Sequence, residues 1–279
     1  MTPPTRTGAR TGTSAWREQL FSRLHLTIQL VRREVVGRYK GSALGILWSL
    51  ITPLLMLAVY TFVFGSVFKA RWTGAAQDDS MAGFAITLFA GLIMFQVFGE
   101  VIPRAPTLVL SNASYVKKVV FPLEILVPVA LGSALFHAGV GLVVLLGFKL
   151  ACQGAIPITA LLLPLVIVPY ALMIAGLAWF LASLGVYWRD IGQLLGTVVT
   201  ALMFLSPIFY PLSALPEWLH PWLVLNPVAL PVEEARNVLI LGQTPDFAGL
   251  GLYAAVALLV AVLGYQWFQK TRKGFADVL

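Results

Sequence analysis

The 279-residue chain carries a formal net charge of +7, with 59% hydrophobic and only 11% charged residues, whereas soluble globular domains have about 25% charged residues. Together with a mean hydropathy of +0.86, this composition excludes an ordinary soluble domain and predicts a membrane protein. The apolar residues occur in blocks long enough for membrane-crossing helices rather than in short alternating strands, so an all-α polytopic fold is predicted.

The N-terminal part is predicted to contain a tail and a membrane-surface helix. Residues 1–15 are polar and basic, without an apolar core or a small-residue cleavage site, which indicates a disordered cytoplasmic tail rather than a cleaved signal peptide. In residues 16–40 apolar side chains recur every three or four positions, namely at Trp16, Leu20, Leu24, Ile28, Val31 and Val35. This spacing predicts an amphipathic interface helix. A solvent-exposed helix with one packed stripe is the alternative.

Residues 41–279 are predicted to form a single transmembrane domain. Hydropathy indicates six spans, at residues 43–68, 81–103, 123–150, 158–187, 191–210 and 247–268. An even number of spans places both termini on one side, and 15 of the 19 Lys and Arg residues fall on that side. Because cytoplasmic loops retain their basic residues, both termini are predicted to be cytoplasmic. Topology thus explains the positive charge, and no nucleic-acid partner is predicted.

The segment between the fifth and sixth spans, residues 211–246, is predicted to be a re-entrant hairpin at the outer face. It contains two apolar stretches, each too short to cross a bilayer, that join near Asn226 and Pro227. Non-helical backbone at membrane depth needs protein or water partners, which two half-length helices in the outer leaflet satisfy. Pro207 and Pro211 are expected to end or kink the fifth span, so that the chain turns back.

The sequence contains no recognisable catalytic or metal-binding constellation. GxSxG and HExxH motifs are absent, the three histidines are far apart, and Cys152 is the single cysteine. A phosphate-binding G-x-x-x-x-G-K-[ST] loop is also absent, so energy from ATP would have to come from another subunit. We interpret His137, which is mid-span, as a packed histidine rather than a proton relay, and Glu100 and Glu124 as residues at span boundaries.

Three segments together resemble the membrane subunit of type-two ABC exporters, in particular those that export O-antigen, capsule or teichoic-acid polysaccharide. They are RREVVGRYKGSALGILWSLITPLLMLAVYTFVFG at 32–65, SNASYVKKVVFPLEILVP at 111–128 and LSPIFYPLSALPEWLHPWLVLNPVALPVEEARNVLILG at 205–242. The first has the family's order of Arg-acid, Arg-Tyr, Ser, Leu-Gly, Trp and Pro, with Glu34 where Asp is expected. The third departs from the pattern at Pro231 and at Glu233-Glu234.

The resemblance implies a permease of the bacterial cytoplasmic (inner) membrane that works as a homodimer with two ATP-binding subunits. Those partners would bind ATP and Mg²⁺, so this chain would hold no cofactor and would not be an enzyme. The implied function is ATP-driven export of a lipid-linked polysaccharide through a channel between the two copies. Export of a drug or small lipid is the alternative, and an ATP-independent carrier is another.

The predicted functional residues form three groups. Aromatic rings could line the polymer path, because their faces stack on the apolar faces of sugars; they are Tyr60, Phe64, Phe204, Phe209 and Tyr210. The exit hairpin is predicted to close the outer end through Pro207, Pro211, Asn226, Pro227 and Arg236. The resemblance places ATPase-coupling contacts at Asn112, Tyr115, Lys117 and Lys118, with Asn112 as a possible helix cap. Arg189 is either a further contact or part of a local ion pair with Asp190.

Each group has a simpler alternative. The aromatic rings could only fill helix interfaces or face lipid, and the hairpin could be a static anchor with Trp218 and Trp222 at headgroup level. The lysines could only fix topology. Small residues at four-residue spacing, Gly37, Gly41 and Gly45 in one set and Gly192, Gly196 and Thr200 in another, favour close helix approach at a dimer seam or within one protomer.

Overall fold

The computed structural model describes residues 12–67, 81–116, 121–212, 216, 218 and 220–279. These residues are helical or lie in short connections, and no strand occurs among them. The principal helices are α1 (Gly12–Arg38), α2 (Trp48–Tyr60), α3 (Met81–Val101), α4 (Leu126–Gln153), α5 (Leu163–Tyr187), α6 (Ile191–Leu205), α7 (Ala229–Arg236) and α8 (Phe247–Thr271). Short turns of 3₁₀-helix precede α2, α4 and α5, at Gly45–Leu47, Leu123–Ile125 and Ile158–Leu162. Segments of π-helix follow α2 and α7, at Thr61–Val67 and Asn237–Leu241.

Five helical segments are long and apolar enough to cross a membrane: Gly45–Phe64, Met81–Val101, Leu123–Gln153, Ile158–Tyr187 and Phe247–Val278. They coincide with five of the six predicted spans, and the prediction of an all-helical membrane protein is confirmed. The remaining apolar helix, α6, has 15 residues. At about 1.5 Å per residue it is shorter than the roughly 30 Å hydrocarbon layer.

The predicted range of the fifth span, 191–210, is wrong at its C-terminal end. The helix stops at Leu205, and Ser206 is extended with φ −88° and ψ 150°. The following residue is Pro207, whose ring disfavours the helical conformation in the residue before it. The expectation that Pro207 ends this helix is therefore confirmed, and the aromatic and proline residues beyond it lie in an irregular segment.

Two glycines bring α5 and α8 into close backbone contact. A Cβ atom added at Gly264 would lie 2.1 Å from the carbonyl oxygen of Gly176, and one added at Gly176 would lie 2.6 Å from the Cα of Ala261. Packing rather than water expulsion drives helix association in lipid, and small residues allow the two backbones to touch. These two glycines, nearly 90 residues apart, therefore fix the position of α8.

The glycines singled out from the sequence do not make such contacts. An added Cβ atom at Gly37, Gly41, Gly45, Gly192 or Gly196 would meet no atom within 4 Å in the described part of the protomer. Packing of these positions within one protomer is therefore not observed. A seam between two copies stays a prediction.

Helix α1 packs on the bundle by its C-terminal half. Val35 is buried, and the side chain of Val31 lies against Gly132 of α4, where an added Cβ atom would be 2.7 Å from Val31 Cγ2. Leu24 and Ile28, which belong to the predicted apolar stripe, are 56% and 58% exposed. The stripe is thus only partly covered by the protomer. Residues 1–11 of the predicted tail lie outside the described residues, whereas residues 12–15 are helical.

Candidate functional site

The aromatic residues predicted to line a path come together at the C-terminal ends of α2 and α6. The ring centroids of Tyr60 and Phe64 are 6.5 Å apart, those of Phe64 and Phe209 are 6.2 Å apart, and Phe204 stacks on Phe209 at 5.6 Å. Tyr210 donates a hydrogen bond from its hydroxyl to the Phe204 carbonyl oxygen, at 2.8 Å. These five residues, called the aromatic row below, are therefore contiguous.

The aromatic row is anchored in the core through Phe64 and is exposed at Phe204. Phe64 also contacts Phe84 of α3, with ring centroids 5.8 Å apart, and Phe84 is buried. Phe204 is 59% exposed. Sequence analysis missed Phe84, because an aromatic residue inside a uniformly apolar span carries no distinguishing signal. The row can present flat apolar ring faces and the Tyr60 hydroxyl to a passing molecule, while its inner members pack between helices.

Arg236, predicted in the exit hairpin, is a buried guanidinium that joins three parts of the chain. It is 2% exposed. Its Nε donates to the Thr87 carbonyl oxygen of α3 at 3.1 Å, its Nη2 to the Ile208 carbonyl oxygen at 2.7 Å, and its Nη1 to the Pro207 carbonyl oxygen. Gly91 of α3 makes room for it, since an added Cβ atom there would lie 2.7 Å from Nη2.

The early end of α6 explains why an arginine is needed at this place. Carbonyl groups in the last turn of a helix and just beyond it have no intrahelical donor, and buried carbonyls need one. A guanidinium supplies five N–H donors in a fixed fork, so it can serve several carbonyls at once. Burial lowers the pKa of Arg236 to about 10, which leaves it charged at neutral pH. Glu233, with Oε1 3.2 Å from Nη1, compensates the charge.

A second set of contacts in the predicted hairpin segment lies at Asn226 and Pro227, where the joint between two short helices was predicted. Asn226 is buried, donates from Nδ2 to Ser206 Oγ at 2.9 Å, and accepts from the Val228 N–H at 3.0 Å. The Pro227 carbonyl oxygen accepts from the Tyr253 hydroxyl of α8 at 2.7 Å. The turn is therefore tied to the end of α6 and to α8.

The helices on either side of this turn are shorter than a membrane span. They are His220–Leu223 and α7, which the π-helical segment Asn237–Leu241 prolongs. Trp218 and Trp222 are exposed at 68% and 63%. Pro211 is partly buried in the connection after α6. Residues 213–215, 217 and 219 lie outside the described residues.

The predicted coupling residues are only partly described. Asn112 follows a helical turn, Thr107–Leu110, and its Nδ2 donates to the Leu108 carbonyl oxygen at 2.9 Å. Lys117, Lys118 and the side chain of Tyr115 lie outside the described residues. Arg189 is exposed in the turn between α5 and α6 and forms no ion pair with any described residue, so the predicted alternative of a local pair with Asp190 is not observed.

Glu124, just before α4, forms ion pairs with α1 and with the segment after α8. Its interpretation as a simple boundary residue is therefore corrected. Its carboxylate is buried between Arg23 of α1, at 3.2 Å, and Arg272 after α8, at 2.8 Å. Trp179 of α5 donates to the Glu124 carbonyl oxygen at 2.9 Å. The partners are 101 and 148 residues away in sequence, so no local pattern could have indicated them.

Two further ion pairs attach α1 to the bundle. Arg104 donates to Glu34 at 2.6 Å, and Arg38 donates to Glu100, which was also interpreted as a boundary residue. His137 of α4 is buried beside this second pair, with its Nδ1 3.3 Å from Arg38 Nη1. The position of His137 between helices agrees with its interpretation as a packed histidine.

These features define a class of protein: a polytopic helical membrane protein whose charged groups hold the helices together. Among the described residues no group of three or more His, Cys, Asp or Glu could hold a metal ion. A sequence model described as "ABC-2 type transporter" matches residues 25–240. The chain therefore belongs to the ABC-2 type transporter family, and the resemblance to type-two ABC exporters is confirmed.

Relatives match nearly the whole chain. It is 25% identical over 261 residues to the O-antigen export system permease protein RfbA of Myxococcus xanthus, covering 93% of this chain and 97% of the relative. It is 23% identical to an RfbA permease of Klebsiella pneumoniae, covering 91% and 95%. It is also 23% identical to the polysialic acid transport protein KpsM of Escherichia coli, covering 84% and 89%.

Proposed function

We propose that this chain is the transmembrane subunit of an ATP-driven exporter that moves a lipid-linked, O-antigen-like polysaccharide across the bacterial inner membrane. The observation that carries this proposal is the near full-length match to permeases named for O-antigen export and polysialic acid transport. The contiguous aromatic row adds support, because ring faces can stack on sugars without tight binding. Export of a drug or small lipid is the competing function.

The working unit would be a homodimer with two ATP-binding subunits. In one protomer most residues of α2 are exposed and only Leu57 is buried, and five glycines at helix-contact spacing meet nothing within 4 Å in the described protomer. A second copy could cover both features and complete a path that one bundle does not enclose. The partner subunits would bind ATP and Mg²⁺, because the sequence has no phosphate-binding loop.

The orientation follows from charge. Both termini would be cytoplasmic, with α1 along the inner membrane surface and its exposed Leu24 and Ile28 in the lipid interface. The coupling residues Asn112, Tyr115, Lys117, Lys118 and Arg189 would then face the ATP-binding subunits.

The outer hairpin would close the exit while no polymer is threaded. Arg236 and Asn226 support this proposal, since they fasten the hairpin to the end of α6, where the aromatic row stands. The exposed Trp218 and Trp222 would lie at headgroup level, so that the hairpin is anchored as well as closed.

A deletion strain tests the function itself. Cells that lack this chain should retain the lipid-linked polysaccharide in the cytoplasm, and a plasmid copy of the gene should restore it to the cell surface. Both pools are measured by fractionation and immunoblotting of the polymer. Unchanged surface polymer, together with greater sensitivity to a drug, would favour the competing function.

The aromatic row is tested by changing the partly buried Tyr60 and the exposed Phe204. Tyr60→Ala with Phe204→Ala should lower surface polymer about tenfold, since two ring contacts at about 0.5–1.5 kcal/mol each can account for such a factor. Phe247→Ala, a matched change at an exposed aromatic at the start of α8, should leave export unchanged. Wild-type export by the double variant at normal protein levels would show that these rings do not line the path.

Glu124 is expected to transmit movement from the predicted coupling residues around 112–118 to α1 and α8, through its partners Arg23 and Arg272. Glu124→Gln should lower the free energy of unfolding by only about 1–2 kcal/mol, because the partly exposed Arg23 and Arg272 can turn to water. Export should nevertheless fall several-fold while the ATP-binding subunit still co-purifies. Export and co-purification of the ATP-binding subunit are measured on the same complex.

Arg23→Gln is the matched control, because it leaves the pair of Glu124 with Arg272 in place. Its effect on export should be smaller than that of Glu124→Gln. Equal export by the two variants would mean that the ion-pair cluster is only a structural contact.

A further inference from the structure

A cavity of about 610 Å³ opens between α2, α3 and α4, on the cytoplasmic side of the aromatic row. Its lining includes Thr52 and Tyr60 of α2, Gln96 and Glu100 of α3, and His137 of α4. Small-molecule sites usually have volumes of about 300–1,000 Å³, so this cavity can hold a ligand rather than a single water molecule.

Several polar groups of the cavity have no hydrogen-bond partner among the described residues. They are the side chains of Tyr39, Thr52, Tyr60 and Gln96 and the buried Nε2 atom of His137. Gln96 is the exposed member of an otherwise buried stretch of α3, between Phe95 and Val97. Polar groups inside a membrane span are costly unless something satisfies them. Water or a polar ligand is therefore needed to satisfy these groups.

The charges of the cavity are already compensated by the protein. Arg38 is paired with Glu100, and its Nη1 lies 3.3 Å from His137 Nδ1. The guanidinium is thus not available as a free counter-charge for a phosphate or carboxylate. The groups that remain are the hydroxyls of Tyr39, Thr52 and Tyr60, the Gln96 amide, the His137 Nε2 atom and the aromatic ring faces. This set suits an uncharged ligand with several hydroxyl groups and an apolar face.

We infer that the cavity binds a neutral sugar unit of the exported polymer. Gln96 and Thr52 hydrogen-bond to sugar hydroxyls, and the ring of Tyr60 stacks on the sugar face. Tyr60 also belongs to the aromatic row, with its ring 6.5 Å from that of Phe64, so the site delivers successive sugar units to the row. This inference rests on the proposed function, and it adds a defined sugar site at the inner end of the path.

A thiol-protection experiment tests the site. Because Cys152 is the single cysteine, Cys152→Ser provides a background for Gln96→Cys or, should that variant not accumulate, Thr52→Cys. Inverted membrane vesicles are prepared from cells that make the polymer and from cells that lack its glycosyltransferases, and a small membrane-permeant methanethiosulfonate is added, so that cysteines on both faces are reached. Labelling should be about fivefold slower with polymer, as expected for a site that is occupied most of the time.

Two controls give the outcomes their meaning. The unaltered chain, labelled at the exposed Cys152 near the end of α4, should react equally in both vesicle types. Equal labelling of the cavity cysteine in the two vesicle types would overturn the inference. It would also be overturned if vesicles that contain only the lipid pyrophosphate carrier protected the cysteine as well as vesicles with polymer, because the cavity would then bind an anionic headgroup. Failure of the proposed function is recognised separately, by surface polymer that does not depend on this chain.

Discussion

Arg236→Met should lower the free energy of unfolding by about 3–5 kcal/mol, which is among the largest effects expected in this protein. Methionine fills a similar volume but donates no hydrogen bond, so the carbonyl oxygens of Pro207 and Ile208 lose their donor and Glu233 loses its counter-charge. The variant should also loosen α7 from the end of α6. Thermal and denaturant unfolding of the purified protein measure the loss.

Lys273→Met is the control for removal of a positive charge, because Lys273 is exposed after α8 and should change stability by no more than about 0.5 kcal/mol. Arg236→Lys should fall between the two, since an ammonium keeps the charge but lacks the planar fork that reaches several carbonyls. Wild-type stability of Arg236→Met would show that the guanidinium does not hold α7 against the end of α6.

Gly264→Ala should prevent α5 and α8 from packing as observed. Its new Cβ atom would be placed 2.1 Å from the backbone oxygen of Gly176, and backbone cannot rotate aside as a side chain can. Overpacking commonly costs about 1–3 kcal/mol, and a clash with backbone belongs at or above the upper end of that range. The amount of monodisperse protein in size-exclusion chromatography and its thermal unfolding report the effect.

Gly147→Ala in α4 is the matched control, since an added Cβ atom there would meet nothing within 4 Å of the described protomer. It should be neutral or stabilising by about 0.5–1 kcal/mol, because alanine replaces glycine inside a helix. Equal behaviour of the two alanine variants would mean that α5 and α8 do not touch at Gly176 and Gly264.

Most of the aromatic row was predictable from the sequence, and most of the charged network was not. The five predicted rings lie close to one another along the chain in two short segments, so placing the segments side by side was enough to bring them together. Arg236 was predicted as a hairpin residue from the family pattern, but its carbonyl partners were not. Those partners exist only because α6 ends at Leu205 and exposes the carbonyls to α7.

The sequence by itself determined the membrane class, the all-helical fold, the position of five spans and the stop of α6 before Pro207. These properties depend on the transfer of apolar side chains into lipid and on the restricted backbone around proline, and both act over a few neighbouring residues. The sequence also indicated the family, because three segments that resemble it occur in the family's order along the chain.

Only the tertiary structure decided which distant residues meet. Glu124 forms ion pairs with Arg23 and Arg272, which lie far from it in sequence. Gly176 contacts Gly264, whereas an added Cβ atom at the regularly spaced Gly192 or Gly196 would meet no atom within 4 Å of the described protomer. In a bundle whose helices are all apolar, hydropathy does not select which faces touch. That choice depends on where two backbones can approach and where a buried charge finds its partner, and both are properties of the packed helices rather than of any short stretch of sequence.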